Sequence, residues 1–418
     1  GTDDGLVWIT RDHGAHWKNV TPPSLTPWSK ISQIDASRFD DNTAYVAVNR
    51  LRLDDLRPWV LRTHDGGAHW TSITNGLPAD EPVNAVREDP KVRGLLYAAT
   101  EGNVYVSFDD GSHWQSLQNN LPHSSMRDII VHGNDLVVAT HGRGFWILDD
   151  VEPLRELAQA RVHGAHLFAP VLAYRVRRNT NTDTPLPPDI AHGTNPPDGA
   201  IIDYTLATPA QRVVITIRDA HGNLVRRYAS DDPQPPAITF DKPDFWERPF
   251  QRPDASAGMH RFAWDYREAS PASVSVDMPI SANVENTPRT PQGALVVPGR
   301  YTVELTVDGK TQRQPLTLVM DPRVHMSATQ LETQYTMAHQ TAELLDSTYA
   351  AMAAAKKQNN SKRAAIFARL NGRLTGLMDL IDGADAPVPD ATRKAFCTLR
   401  FQSISARGAL PSRNSICP

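Results

Sequence analysis

The chain has 418 residues, 40% hydrophobic and 22% charged, with a net charge of −4. That length predicts about two to four domains, and the weak negative charge gives no electrostatic case for nucleic acid or an anionic membrane. No run approaches the ~18 apolar residues that would span a bilayer, and 33 prolines favour β-rich structure and loops over helical bundles.

Residues 1–150 form a repeat array. The pattern Ser/Thr-x-Asp-x-Gly-x-x-Trp occurs at Thr10–Trp17, Thr63–Trp70 and Ser107–Trp114. It places Asp12, Gly14 and Trp17, then Asp65, Gly67 and Trp70, then Asp109, Gly111 and Trp114 in the same frame. Each copy reads as a hairpin turn. The Asp braces backbone groups two residues on, the Gly supplies a positive φ, and the Trp packs the turn onto the structure beneath. This Asp-box, repeated at spacings of 53 and 44 residues between its aspartates, predicts one four-stranded propeller blade per repeat. The blades can be counted. The chain starts at the third strand of one blade, two full blades follow with inner strands near 31–37 and 83–88, and a last blade runs from 126 through its third strand. Fewer than four blades do not close a ring, so the expectation is the C-terminal part of a larger propeller. Its missing blades are supplied by upstream sequence of the same precursor or by a second chain.

Residues 151–199 read as a connector, with a short helix near 154–157 and a Pro/Thr/Asn/Asp-rich loop after 179. From 200 to 322 the alternation returns to strands, at 213–218, 224–228, 258–265 and 298–310, with a turn at His221-Gly222-Asn223. An Ig-like β-sandwich is expected there. In the helical region 323–418, Ser327 and Gln330 make a capping box. Leu331, Tyr335, Ala338, Ala342, Leu345, Tyr349 and Met352 follow at 4-3 spacings, and Ile366, Leu370, Leu374, Leu377 and Ile381 form a second stripe. The modest reading is a hairpin of two antiparallel helices; the other is a coiled coil that joins a homodimer. The only cysteines, Cys397 and Cys417, form a disulfide in an oxidising compartment or remain two free thiols. The fold class is therefore mainly β: a partial Asp-box propeller, an Ig-like sandwich and a C-terminal helical hairpin.

The propeller part resembles bacterial BNR/Asp-box repeat proteins related to the sortilin (Vps10) N-terminal domain and often labelled glycosyl hydrolases. The residues that carry the resemblance are Asp54-Asp55-Leu56-Arg57-Pro58, the box at Thr63–Trp70, Asn75-Gly76-Leu77-Pro78, Glu88-Asp89-Pro90 and Thr140-His141-Gly142-Arg143-Gly144-Phe145-Trp146. The Ig-like segment and the Asp321-Pro322-Arg323-Val324 hand-over to helices are similar to the same family. The resemblance implies a secreted or periplasmic protein. It implies architecture more than activity, because the family label rests on the boxes themselves.

In an up-and-down blade, successive turns alternate ends, so the boxes lie opposite the turns between second and third strands. The latter gather the candidate ligand residues: Arg52, Asp54, Asp55 and Arg57 in the 50–58 loop, Glu101, and His141 with Arg143. Carboxylates beside arginines can bind a polar ligand, a glycan or a peptide, or simply pair with each other. Glycoside hydrolysis needs two carboxylates roughly 5–10 Å apart, which Asp54 or Asp55 with Glu101 can supply only if the fold brings them together. No nucleophile elbow, phosphate loop or metal-ligating pair is visible, so no cofactor and no metal are expected. Binding is the favoured reading. A hydrolase completed by upstream blades is the alternative.

Overall fold

The computed structural model describes residues 1–159, 163–177, 196–279 and 285–408. They fall into two compact units, Gly1–Val162 and His163–Pro418.

The first unit is four successive antiparallel meanders. The first sheet pairs β1 (Trp8–Ile9) with β2 (Lys18–Asn19). The second runs β3 (Lys30–Ala36), β4 (Ala44–Asn49), β5 (Val60–Thr63), β6 (Thr71–Ser72), and the third β7 (Val83–Glu88), β8 (Leu96–Thr100), β9 (Val104–Ser107), β10 (Gln115–Ser116). The fourth has three strands, β11 (Met126–His132), β12 (Asp135–Thr140) and β13 (Phe145–Leu148). The inner strands and the strand count per sheet are those the box spacing predicts.

Side-chain alternation decides how the sheets stack. In the third sheet Val83, Val86, Leu96, Ala98 and Tyr105 face Tyr45, Ala47 and Val60 of the second. The alternate set Ala85, Tyr97, Ala99, Val104 and Val106 faces Met126, Ile129, Leu136 and Val138 of the fourth. A sheet buried on both faces has apolar residues at consecutive positions, which is why β8 reads Leu-Tyr-Ala-Ala-Thr without polar alternation. After β13 the fourth sheet has no box. Its place is taken by α1 (Glu152–Gln159), whose Arg155 is buried and donates from Nε to both Asp89 oxygens at 2.9 and 3.1 Å. The stretch read as a connector from residue 151 therefore begins as part of the first unit.

In the second unit β14 (Ala165–Leu167), β16 (Ala200–Leu206) and β19 (Gly258–Trp264) form one sheet. β15 (Ala173–Arg175), β21 (Lys310–Met320), β20 (Gly299–Val307), β17 (Val213–Arg218) and β18 (Leu224–Ala229) form the other, in that order. The sheets share one core, with Ile202, Tyr204, Phe262 and Trp264 from the first and Ile215, Ile217, Val303, Leu305 and Leu318 from the second. β14 and β15 lie inside the expected connector. Three residues each, they are too short for periodicity to register, and they are held by pairing to β16 and β21.

Three helices follow among the described residues: α2 (Ala328–Lys357), α3 (Ser361–Asp382) and α4 (Asp390–Ala406). Ser327 and Gln330 form the expected capping box, with both reciprocal bonds present. The expected two-helix hairpin is corrected to a three-helix packing. α4 adds Phe396 and Leu399 to a core with Leu345, Met352, Phe367, Leu374 and Met378. The heptad seam is thus spent inside the chain, and the burial on α2 broadens to include Gln334, Thr341, Leu344 and Thr348 while Tyr349 stays exposed. No helix among the described residues is long and apolar enough to cross a membrane. Cys397 lies on α4; the disulfide expected between it and Cys417 falls outside the described residues, because Cys417 does.

Candidate functional site

The box end of the sheets is a set of closed turns. In each box one carboxylate oxygen of Asp12, Asp65 or Asp109 accepts the backbone N–H of His16, His69 or His113, at 2.9, 2.8 and 2.8 Å. The other oxygen meets that histidine's Nδ1 at 2.6 Å in all three. The bracing reaches four residues on, where the expectation was two. The Thr or Ser that opens the box completes it, donating to the Asp and accepting from the N–H of Gly14, Gly67 or Gly111, at 2.9 Å each. The His69 backbone N–H first, and its ring second, hold the Asp65 carboxyl down at about 2. Each of these carboxylates is engaged within its own turn, one oxygen by a backbone N–H and a hydroxyl and the other against the histidine ring.

At the other end, the strand register aligns three turns. Ile31 pairs with Val48, Val83 with Thr100 and Met126 with Thr140, so Asn49, Glu101 and His141 are equivalent residues, and Arg50 follows one place after Asn49. Arg50 opens a loop containing a single 3₁₀ turn, Leu51–Leu53. Asp55 accepts from Arg57 Nε and Nη2 at 2.8 and 2.9 Å and lies 3.3 Å from Arg50 Nη1. Both guanidiniums stack on Trp59, at 4.7 and 5.4 Å from its ring centre. The Arg57 hydrogen bonds, opposed by some desolvation, hold the Asp55 carboxyl at about 2. Such a carboxylate is an ion-pair member rather than an acid or base at neutral pH. Arg52 and Asp54 are exposed, Asp54 in the left-handed region at φ 58°.

Glu101 behaves differently. It accepts from Asn84 Nδ2 at 3.1 Å and from Arg127 Nη1 at 3.2 Å. Asn84 also donates to the Met126 carbonyl at 3.0 Å, and its own oxygen accepts from Asn49 Nδ2 at 2.8 Å. Asn49, Asn84, Glu101 and Arg127 thus form one polar line across the second, third and fourth sheets. The geometry has a common cause. All three inner strands slip register at the equivalent place near their start: between Ile31 and Gln33, Val83 and Ala85, Met126 and Asp128. The skipped residues are Ser32, Asn84 and Arg127. A β-bulge re-aims a side chain out of strict alternation, and here it turns one polar residue per sheet toward its neighbours. Ser32 reaches the Val83 carbonyl at 3.3 Å as Asn84 reaches that of Met126.

His141 and Arg143 sit exposed in the last turn, where the His141 backbone N–H donates to Ser125 and Thr140 Oγ1 accepts from the Arg143 N–H. No hydrogen bond among the described residues joins Asp54 or Asp55 to Glu101, or either set to the side chains of His141 and Arg143. The sequence reading missed Asn49, Asn84 and Arg127. Their only trace is the break in apolar alternation at Arg127-Asp128. No group of three or more His, Cys, Asp or Glu among the described residues is placed to hold a metal ion.

No family model matches this chain, and no curated protein does either. Among solved structures it is similar to YCF48 bound to D1 peptide, at 20% identity over 35% of this chain and 46% of that one, with a TM-score of 0.29. It is also similar to a GH74 xyloglucanase from Xanthomonas campestris, at 13% identity over 78% and 54%, TM-score 0.30. A third is YCF48 from Cyanidioschyzon merolae, at 13% identity over 78% and 80%, TM-score 0.27. The chain spans about half the length of the first two. At such scores the description of the fold rests on the sheets themselves.

Proposed function

We propose that residues 1–150 are blades of an exported, sortilin-like bacterial Asp-box β-propeller that binds a glycan or peptide at the end of the sheets opposite the boxes. On this reading the protein is secreted or periplasmic, residues 200–322 are an Ig-like sandwich, and the helices after it serve as a buttress or docking surface.

The observation that carries the reading is the Asn49–Asn84–Glu101–Arg127 line. It crosses three sheets and ends on a half-exposed guanidinium, with the exposed His141 and Arg143 in the next turn of the same end. A fork of N–H donors beside amide and imidazole groups suits hydroxyls and carbonyls of an extended polar ligand. Binding is favoured over hydrolysis because two of the three carboxylate candidates are engaged, Asp55 by arginines and Glu101 by Asn84 and Arg127.

The test is a screen of the 418-residue chain against glycan and peptide arrays, followed by titration of the strongest ligand against Arg127→Ala. Loss of charge-assisted hydrogen bonds of about 1.5–3 kcal/mol weakens affinity by roughly tenfold to a hundredfold. Unchanged affinity would remove this end of the sheets as the site. Turnover of a bound glycan that stops in Asp54→Asn or Asp55→Asn would instead establish the hydrolase.

A further inference from the structure

Successive sheets of the first unit meet in one repeated way. The residue after each fourth strand, Val20, Ile73 or Leu117, donates its N–H to Val7, Val60 or Val104, at 2.8, 2.9 and 2.8 Å. The carbonyl of Val20 then accepts Trp70 Nε1 from the next sheet's box at 2.8 Å, and that of Ile73 accepts Trp114 Nε1 at 2.7 Å. The side chains of Val20 and Ile73 fill the space over Gly67 and Gly111, leaving no room for a Cβ at either glycine.

Trp17 has the same place in its box and none of these partners. Its Nε1 bonds back to Gly14 in its own turn at 3.1 Å, a Cβ on Gly14 would approach only Trp17, and the indole is 58% exposed against 5% for Trp114. The fourth sheet shows the same vacancy on its outward face. By register Phe145 and Ile147 are the equivalents of Val104 and Val106, which the fourth sheet itself buries to 1% and 2%. Phe145 is 78% exposed, and Ile147, Ile130 and Phe145 lie on one face of that sheet. Leaving two such side chains in water forgoes the burial that fixes every internal sheet contact.

We propose that both end faces dock a further antiparallel sheet of this same register, supplied by polypeptide outside these 418 residues. The sheet on the Trp17 face ends its outer strand on a branched aliphatic residue whose carbonyl accepts the Trp17 indole N–H. A second copy does not meet that description. Among the described residues the fourth sheet has three strands and then α1, so it offers no equivalent of Val20 or Ile73. Leu117 is already packed into the core shared by the third and fourth sheets.

Hydroxyl-radical footprinting read by mass spectrometry tests this on two samples: the protein as purified from its producing cells, and the 418-residue chain expressed alone. The expected result is Trp17 and Phe145 as protected as Trp114 in the first sample and strongly modified in the second. Equal modification of Trp17 and Phe145 in both samples overturns the proposal. So does protection that appears in the isolated chain as its concentration rises to form a dimer, since a second copy would then be the occupant.

Discussion

At the box end of each sheet, the carboxylates of Asp12, Asp65 and Asp109 turn inward on their own eight residues. At the other end, Glu101 reaches Asn84 of its own sheet and Arg127 of the next. The first arrangement repeats three times with hydrogen bonds that agree within 0.1 Å. The second is built from residues that differ in every sheet: Asn49, Glu101 and His141 at one position, Ser32, Asn84 and Arg127 at the other. The box repeats with identical chemistry in the first three sheets, and the fourth sheet forms without one. Variation at equivalent positions marks where a surface is free to acquire specificity.

Substitutions that separate the two ends should do so in a definite order. Trp114→Ala removes a nearly buried indole and its bond to Ile73, and should cost about 3–5 kcal/mol in urea unfolding. The equivalent Trp17→Ala should leave the isolated chain within about 0.5 kcal/mol of the parent, because that indole is exposed. Similar losses at both positions would break the interface repeat. Asp89→Ala removes the buried carboxylate beside Arg155 Nε, leaving Glu152 as the guanidinium's charged partner, and should destabilise the first unit by roughly 3–5 kcal/mol. Glu101→Gln, at the other end, should change stability by less than about 1 kcal/mol, since its partner Arg127 is half-exposed.

The smallest effect is the pH dependence. Asp55 and Asp65 are held at about 2 against an ordinary value of 3.8. Folded values below the unfolded one stabilise the folded state above pH ~4, and that contribution fades as pH falls from there toward 2. Thermal unfolding followed from pH 6 to 3 should show a decline beginning near pH 4. Asp65→Asn, which removes one of the two groups, should flatten it; an unaltered slope would mean the box carboxylate is not linked to folding.

Much of the first unit was legible in the sequence because its signals are local. A box needs eight residues, a hairpin strand four to six, and the spacing of boxes measures a sheet. The capping box at Ser327 and Gln330 was legible for the same reason. What escaped depends on contacts far along the chain. The bulges at Ser32, Asn84 and Arg127 place a polar side chain against the neighbouring sheet, and no residue adjacent in sequence records that. α4 escaped because its buried face, with Phe396 and Leu399, is narrow and is completed only by α2 and α3. The His residues four places after each box Asp are exposed, and their ring contact to the carboxylate appears only once the turn closes.

The central claim is that ligand recognition lies at the bulge end and folding at the box end. The most direct measurement is a parallel titration of one array-selected ligand against Arg127→Ala and Asp12→Asn, each first confirmed folded by circular dichroism. The account predicts weakened binding for Arg127→Ala and parental affinity for Asp12→Asn. Binding lost in Asp12→Asn and kept in Arg127→Ala would contradict it.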